Sequence, residues 1–496
     1  MTARTDYLGA IDQGTSGTRF IVYDRSADVV AAAYVGHDPA RPAPGRVEHD
    51  PLRLWENTVD VVRRGCEQAG LDGTDLAAIG IANQRQTAVL WDARTGEPVH
   101  DAIGWRDRRT TDRICRLHAD GRAADIRRQT GLVPDAYFFA SKLEWLLDRV
   151  DDRSEHLRAG TVDAWLLSKL TGTHATDVTN AAQTMLFDVD ELAWSPDLLE
   201  EFGVPRSVLP TVRPSSDTAG YGETTVGGYF DTPVPVTGVL GDQQAALLGH
   251  GCLDPGDAKV TYGTGSFAIC NTGHERVESD AGALSTVVYQ AAGEPPMYGL
   301  EAPVLTGGAV FDWLRGVGLI DRPVDIERVL HEATRPADVC LVPGFRGLAA
   351  PHWIRTPCAT FVGMTADSDG DDLVHAAVES VAYRVREAID AIAADHDVAS
   401  PVHVDGGVAE NDDFCRLQSA VLNVPLGRPD DVTTAALGAA FAAGRAVDFW
   451  TPAEFRSHLS HPTRFDADDP RHRAFERWSR AVSLATQWVP ESRSRR

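Results

Sequence analysis

The chain has 496 residues, too many for one ordinary domain and enough for two or three with a core in each. Its 43% hydrophobic and 24% charged content is ordinary for a globular protein. A formal charge of -25 argues against nucleic acid and anionic lipid surfaces as partners, and no apolar run approaches the roughly 18 residues of a membrane helix.

Seven cysteines (Cys66, Cys115, Cys252, Cys270, Cys340, Cys358 and Cys415) are scattered, odd in number and without a C-x-x-C pair. That speaks against a disulfide framework or a zinc site and for a reducing, cytoplasmic setting. The N-terminus, Met1-Thr-Ala-Arg-Thr-Asp, lacks the basic-then-apolar pattern of a signal peptide. Only three lysines occur, Lys142, Lys169 and Lys259, so nearly all positive charge is arginine, which reads as compositional bias. The last residues, Glu491–Arg496, read as disordered.

In chain order, Tyr7–Ile11 and Arg19–Tyr23 read as strands joined by Asp12-Gln-Gly-Thr-Ser-Gly-Thr, a hairpin signal. Pro39–Gly45 is a loop by composition. Pro51–Gln68 and Ala140–Arg149 carry apolar residues at helical spacing, and Ala77–Ala82 and Ala88–Trp91 read as strands. Val234–Leu240 reads as a buried strand and Gln243–Leu248 as a helix. A second Gly/Thr hairpin follows, with strands around Lys259–Tyr262 and Phe267–Cys270 and the turn Gly263-Thr-Gly-Ser266. Its likeness to the first suggests a duplicated fold. His403–Val404, Asp405-Gly-Gly407 and the Asn411–Leu422 helix form a further strand–turn–helix. The pattern is α/β, with a boundary expected near residue 250 that separates 1–250 from 251–496.

Both hairpin turns have two readings. Each is either an ordinary turn, or a cradle in which Gly14 and Gly17, or Gly263 and Gly265, bring backbone N–H groups close to phosphate oxygens. In the first, Thr15, Ser16 and Thr18 add hydroxyls, Arg19 adds a positive fork, and Asp12 stands where it could hold Mg²⁺ through water. Neither turn is a Walker A or G-x-G-x-x-G pattern. Asp242 lies between strand and helix. It is either the helix N-cap, the reading the residues alone favour, or a general base that takes a proton from a substrate hydroxyl. Asn83-Gln-Arg-Gln-Thr87 is a polar run after an apolar strand, either a site or a solvated loop. Trp105, Tyr137 and Phe267 are nearby aromatics, a residue type that is usually core.

Together these segments resemble the FGGY carbohydrate kinase family, and within it the branch that phosphorylates glycerol. The likeness runs nearly end to end. It is carried by Asp12-Gln-Gly-Thr, Gly45-x-Val-Glu-His-Asp-Pro51, Asn83-Gln-Arg, Trp105-x-x-Arg-Arg109, Asp177-x-Thr-Asn-Ala181, Thr184-Met-Leu-Phe187, Gly241-Asp-Gln-Gln-Ala-Ala246, Thr261-Tyr-Gly-Thr-Gly265 and Val404-Asp-Gly-Gly407. The resemblance implies two duplicated actin-like (ribonuclease H-like) ATPase domains with ATP and polyol meeting between them. By resemblance, Asp242 is the general base. Arg85, Gln86, Tyr137, Asp242 and Gln243 hold the polyol hydroxyls, with Trp105 and Phe267 against its carbons. Thr15, Ser16, Gly17, Arg19 and Thr264 hold phosphates, and Gly308, Asp312, Gly407 and Asn411 line the adenosine side. Mg²⁺ bridges phosphate oxygens near Asp12. The implied product is sn-glycerol 3-phosphate, and relatives are commonly dimers or tetramers.

Several positions depart from the family pattern. Gln86 stands where the glycerol branch carries Glu, which leaves open a four- or five-carbon polyol such as erythritol, threitol or xylitol. Phe139 stands where a small hydroxyl residue is typical, Asp312 where Gln is usual and Gly17 where Ser is common. No His lies between His174 and His250, and Gly227–Thr232 contains no Arg, so the phosphorylation and sugar-bisphosphate controls of some relatives are not expected.

Overall fold

The computed structural model describes residues 5–150, 155–217, 219–321, 338–356 and 358–488. Glu491–Arg496 lie outside the described residues.

Two large sheets organise the chain, one from each half. In the first, strand Tyr7–Gln13 pairs antiparallel with Gly17–Tyr23, which pairs with Val29–Gly36. On its other side it runs parallel to Leu76–Asn83, and that strand runs parallel to Val234–Gly241. The second sheet repeats the plan. Ala258–Tyr262 pairs antiparallel with Ser266–Gly273, which pairs with Met297–Val304, while Val402–Asp405 and Leu426–Arg428 continue it in parallel. The same order and directions occurring twice is the duplication that the two hairpins suggested. The fold is the two-domain α/β architecture of actin-like ATPases.

The central strands are apolar on both faces because helices cover both sides. Leu8, Ala10 and Ile11 are fully buried, as are Ala78, Ile79 and Ile81 on the neighbouring strand. Helix Pro51–Ala69 covers one face. Asp50 caps its start by accepting from the Leu52 N–H, Pro51 occupies the first turn, and Gly70 closes it at φ 68°. Its Leu54, Val61, Val62 and Cys66 pack on Ile11, Phe20 and Ile79. Burying each such aliphatic or aromatic side chain contributes about 1.5–3 kcal/mol.

Helix Thr434–Ala446 comes from the second half yet packs on Leu76–Asn83 and Val234–Gly241 of the first sheet, and against helix Asp242–Gly249. The two helices approach through glycines: a Cβ on Gly438 would lie 1.8 Å from the Ala245 carbonyl oxygen. This crossing ties the two halves together. All seven cysteines are free. Among the described residues no helix is long and apolar enough to cross a membrane.

The expected elements appear with small shifts. The first strand runs on to Gln13, so Asp12 is a strand residue directly opposite Arg19. After Asp405 a short 3₁₀ turn, Gly407–Glu410, precedes the helix, and Asn411 is the cap of helix Asp412–Leu422 rather than its first turn.

Candidate active site

Three parallel strands of the first sheet end level with one another, at Gln13, Asn83 and Gly241. Ligands of open α/β sheets bind beyond the carboxyl ends of such strands. The residues that follow these ends are the phosphate-type turn Gly14–Gly17, the run Gln84–Thr87, and Asp242–Gln243. They converge on a cavity of about 240 Å³. Thr15, Ser16, Arg85, Gln86, Trp105, Tyr137, Asp242, Gln243, Thr264 and Phe267 all line it, with Thr261, Gly263 and Gly265. Asp12, Gly17, Arg19, Gly308, Asp312, Gly407 and Asn411 are not part of that lining.

Asp242 is not the helix cap. Gly241 takes the N-cap position, and Asp242 is the first helical residue, its carboxylate accepting from the neighbouring Gln243 N–H at 2.8 Å. The reading that the residues alone favoured is therefore corrected: Gly241 supplies the extended backbone, and the carboxylate is turned into the cavity. That side chain is 28% exposed and lies 3.3 Å from Arg85 Nε. Burial raises its pKa, against the pull of Arg85 and Lys259.

Arg85 is held from behind by Glu301, a fully buried carboxylate from the second sheet, through paired contacts of 2.6 and 2.7 Å. Fork-to-fork geometry of this kind fixes direction as well as energy. Gln86 adopts φ 61°, an uncommon conformation for a side-chain-bearing residue, which costs of order 1–3 kcal/mol. Its amide donates to Gln183 Oε1 at 2.7 Å, and Gln183 in turn donates to Thr286 and Glu301. Gln86 also opposes the rise that burial gives the Tyr137 hydroxyl pKa. A neutral amide at position 86 thus completes a directional chain that ends on the Arg85–Glu301 pair.

Two buried lysines brace the wall. Lys142 Nζ donates to the backbone carbonyls of Gln86 at 3.1 Å and Tyr137 at 2.6 Å. Burial pushes it down to about 7, with Asp107 and Asp135 opposing. Lys259 Nζ donates to Gln243 Oε1 at 2.5 Å and to Thr261 at 2.6 Å. With its carbonyl thus engaged, Gln243 presents its amide hydrogens to the cavity. Trp105 meets Tyr137 and Phe267 edge-on and donates its indole N–H to Thr15 at 2.8 Å, linking the apolar wall to the first turn.

Both turns line the cavity and each is closed by a backbone bond of 2.9 Å, from Gly14 N–H to Gly17 O in the first and over a span one residue shorter, from Gly263 N–H to Gly265 O, in the second. A Cβ on Gly17 would lie 2.3 Å from the exposed Tyr34 ring, which would have to move aside. Asp12 is pushed up to about 6 by burial, with Arg19 opposing and Asp242 adding to the rise. Among the described residues nothing hydrogen-bonds its carboxylate. An unshared carboxylate beside a phosphate-type turn suits a hard divalent ion that keeps most of its own waters. Beyond the second turn, Gly308 N–H donates to the Gly263 carbonyl at 2.8 Å, and Gly308 and Val408 are neighbours. Asn411 caps its helix by accepting from Phe414 N–H. Asp312 stands at the rim, its side chain 71% exposed and 3.4 Å from Arg315.

Glu301, Gln183, Lys142 and Lys259 were not singled out in the sequence. The signal was there for three of them. Glu301 is the one charge in the buried strand Met297–Val304. Lys142 and Lys259 are two of three lysines in a chain that otherwise uses arginine.

Residues 7–249 match the N-terminal domain of the FGGY family of carbohydrate kinases, and residues 258–447 match its C-terminal domain. The chain is 47% identical to the glycerol kinase of Haloferax volcanii, covering 98% of this chain and 99% of that protein. It is 42% identical to glycerol kinase 1 of Streptomyces coelicolor, covering 98% and 100%. Among solved structures, Plasmodium falciparum glycerol kinase with ADP superposes with a TM-score of 0.88 at 29% identity, covering 98% and 99%. Xylulose kinase from Lactobacillus acidophilus shares the fold at a TM-score of 0.84 and 20% identity, covering 97% of each chain. With its paired turns, its level strand ends and both halves matched, this chain belongs to the FGGY family of carbohydrate kinases.

Proposed function

We propose that the chain transfers the γ-phosphoryl group of ATP to a terminal hydroxyl of glycerol, giving sn-glycerol 3-phosphate and ADP. The observation that carries this reading is the Asp242 carboxylate. It is directed into the cavity, freed from capping, held beside Arg85 and raised in pKa by burial. A base poised towards neutrality takes a proton best at the moment of transfer.

Glycerol lies against Trp105 and Phe267, its hydroxyls held by Arg85, Gln86, Tyr137 and the Gln243 amide. Asp242 accepts the proton of the terminal hydroxyl as that oxygen bonds to the γ-phosphorus. The bond from phosphorus to the β–γ bridging oxygen breaks, and ADP leaves. Thr15, Ser16, Gly17 and Arg19 hold the phosphates from one side and Thr264 from the other. Gly308, Gly407 and Asn411 line the adenosine, with Asp312 at its rim. Mg²⁺, with Asp12 nearest, supplies charge neutralisation on the phosphate oxygens when bound. Positioning and charge neutralisation account for most of the catalysis in such transfers. The polyol and phosphate groups belong to a domain of residues 1–250 and the nucleotide groups to one of 251–496. The protein works in the cytoplasm as a dimer or tetramer.

The relatives named glycerol kinase support glycerol over longer polyols. A coupled ADP-release assay with glycerol, erythritol, threitol, xylitol and dihydroxyacetone tests this. Glycerol should show the highest kcat/KM, and a tenfold preference for another polyol would refute it.

A further inference from the structure

Trp105 and Tyr137 wall a second, smaller recess on their far side, shared with Arg106, Arg108, Asp135 and Arg346. Its carboxylates are engaged elsewhere. Asp107 accepts from Arg109 at 2.7 and 2.9 Å and from the Val47 N–H at 2.7 Å. Asp135 accepts from the Tyr137 N–H at 2.9 Å and lies 3.7 Å from Arg355. Arg108 is also occupied, donating to the carbonyls of Arg346 and Arg355.

Arg106 and Arg346 are left over. Among the described residues neither guanidinium makes an ion pair. Arg106 Nε is buried without a hydrogen-bond partner, and its guanidinium lies 5.4 Å from the centre of the Trp105 ring. Burial, Arg346 and the exposed Arg41 hold Arg106 down at about 10, and burial with Arg41 and Arg108 lowers Arg346 likewise. The two carboxylates that line the recess, Asp107 and Asp135, serve other partners, and Asp312 offsets only part of the lowering of Arg106. Half-buried, unpaired guanidinium groups are costly. An anion with several oxygens removes that cost, and the arginine fork matches phosphate geometry.

We infer that Arg106 and Arg346 form an anion site at the mouth of the cleft, beside the polyol pocket, that takes the phosphate of a phosphomonoester dianion. The recess itself, about 20 Å³, has room for a water and not for phosphate, so the anion sits at its mouth between the two guanidiniums. The chemistry of the neighbouring pocket names the source. On the kinase reading, a neutral polyol enters it and a dianionic phosphomonoester leaves. Naming the product as ligand rests on the kinase reading; the site itself does not.

The test is calorimetric titration of the full chain, free of nucleotide and Mg²⁺, with inorganic phosphate and with sn-glycerol 3-phosphate in low-salt buffer. Wild type should bind both. Arg106→Gln and Arg346→Gln should each weaken both ligands at least fivefold, and Arg41→Gln, exposed and peripheral, about twofold. A tenfold advantage of glycerol 3-phosphate over phosphate in wild type that is lost in Arg106→Gln or Arg346→Gln identifies the product as ligand. Equal affinities identify free phosphate, and either result supports the site. Unchanged affinity for both ligands in Arg106→Gln and Arg346→Gln overturns it. If one variant fails to fold, as a thermal melt shows, the other decides. Binding is read without turnover, so failure here leaves the kinase reading standing, and failure of that reading appears instead as absent glycerol turnover in wild type.

Discussion

Among the described residues Lys142 makes no ion pair, and its Nζ donates to the backbone carbonyls of Gln86 and Tyr137. It holds Gln86 in its left-handed conformation and Tyr137 in the wall at once. Hydrogen bonds from a charged donor contribute about 1.5–3 kcal/mol each. Lys142→Met keeps the length and removes them. Steady-state kinetics should show the glycerol KM rising about tenfold, equivalent to about 1.4 kcal/mol, with the ATP KM within about twofold. The carboxylates set the pH dependence. Asp242 accepts a proton only when ionised, so activity is present above its folded pKa and lost as pH falls through it. Burial moves that pKa upward. The acid limb of kcat should therefore lie above the roughly 3.9 of an ordinary aspartate. A limb at pH 4 would contradict the burial argument. At this scale the sequence was partly legible. Asp242, Arg85 and Trp105 stood next to turn or polar signals. Glu301 could not be placed beside Arg85, because 216 residues separate them and only the meeting of two sheets brings them together.

Elements were the most readable level, since apolar runs and glycine turns report local physics. The strand Val234–Gly241 and the helix Pro51–Ala69 appear within a residue or so of their expected bounds. What periodicity could not reveal is which sheet a helix joins. The alanine-rich Thr434–Ala446 helix, from the second half, lies on the first sheet because small residues permit close approach. Gly438 meets the Ala245 carbonyl and Gly249 meets that of Thr434, both within 2 Å of where a Cβ would stand. Gly438→Ala must push the helices apart, and overpacking of this kind costs about 1–3 kcal/mol. Calorimetric melting should show a lower Tm. An unchanged Tm would mean that the crossing is loose, and the tie between the halves would have to be sought elsewhere.

Across the whole molecule, 72 acidic residues against 47 basic ones give the charge of -25. Self-repulsion of this size destabilises a compact chain. Salt shortens the screening length from about 10 Å at 0.1 M to about 3 Å at 1 M. The Tm should therefore rise between 0.1 and 1 M KCl, and a fall would show that attractive surface ion pairs outweigh the repulsion. The charge was fully legible in the sequence; the duplicated architecture was only hinted at by the short strand–Gly-Thr–strand likeness of the two hairpins, and the repeated strand order shows it. The cleft was not legible, since its base pairs Arg85 with a carboxylate from the other half and its wall joins Trp105 to Phe267. The account's central claim is that Asp242 removes the proton from the hydroxyl that receives the phosphoryl group. The most direct measurement is kcat with saturating glycerol and ATP for Asp242→Asn, a change that keeps shape and removes the base. The predicted result is a fall of about 10²–10⁴-fold with the melting temperature retained. A kcat within tenfold of wild type would contradict it.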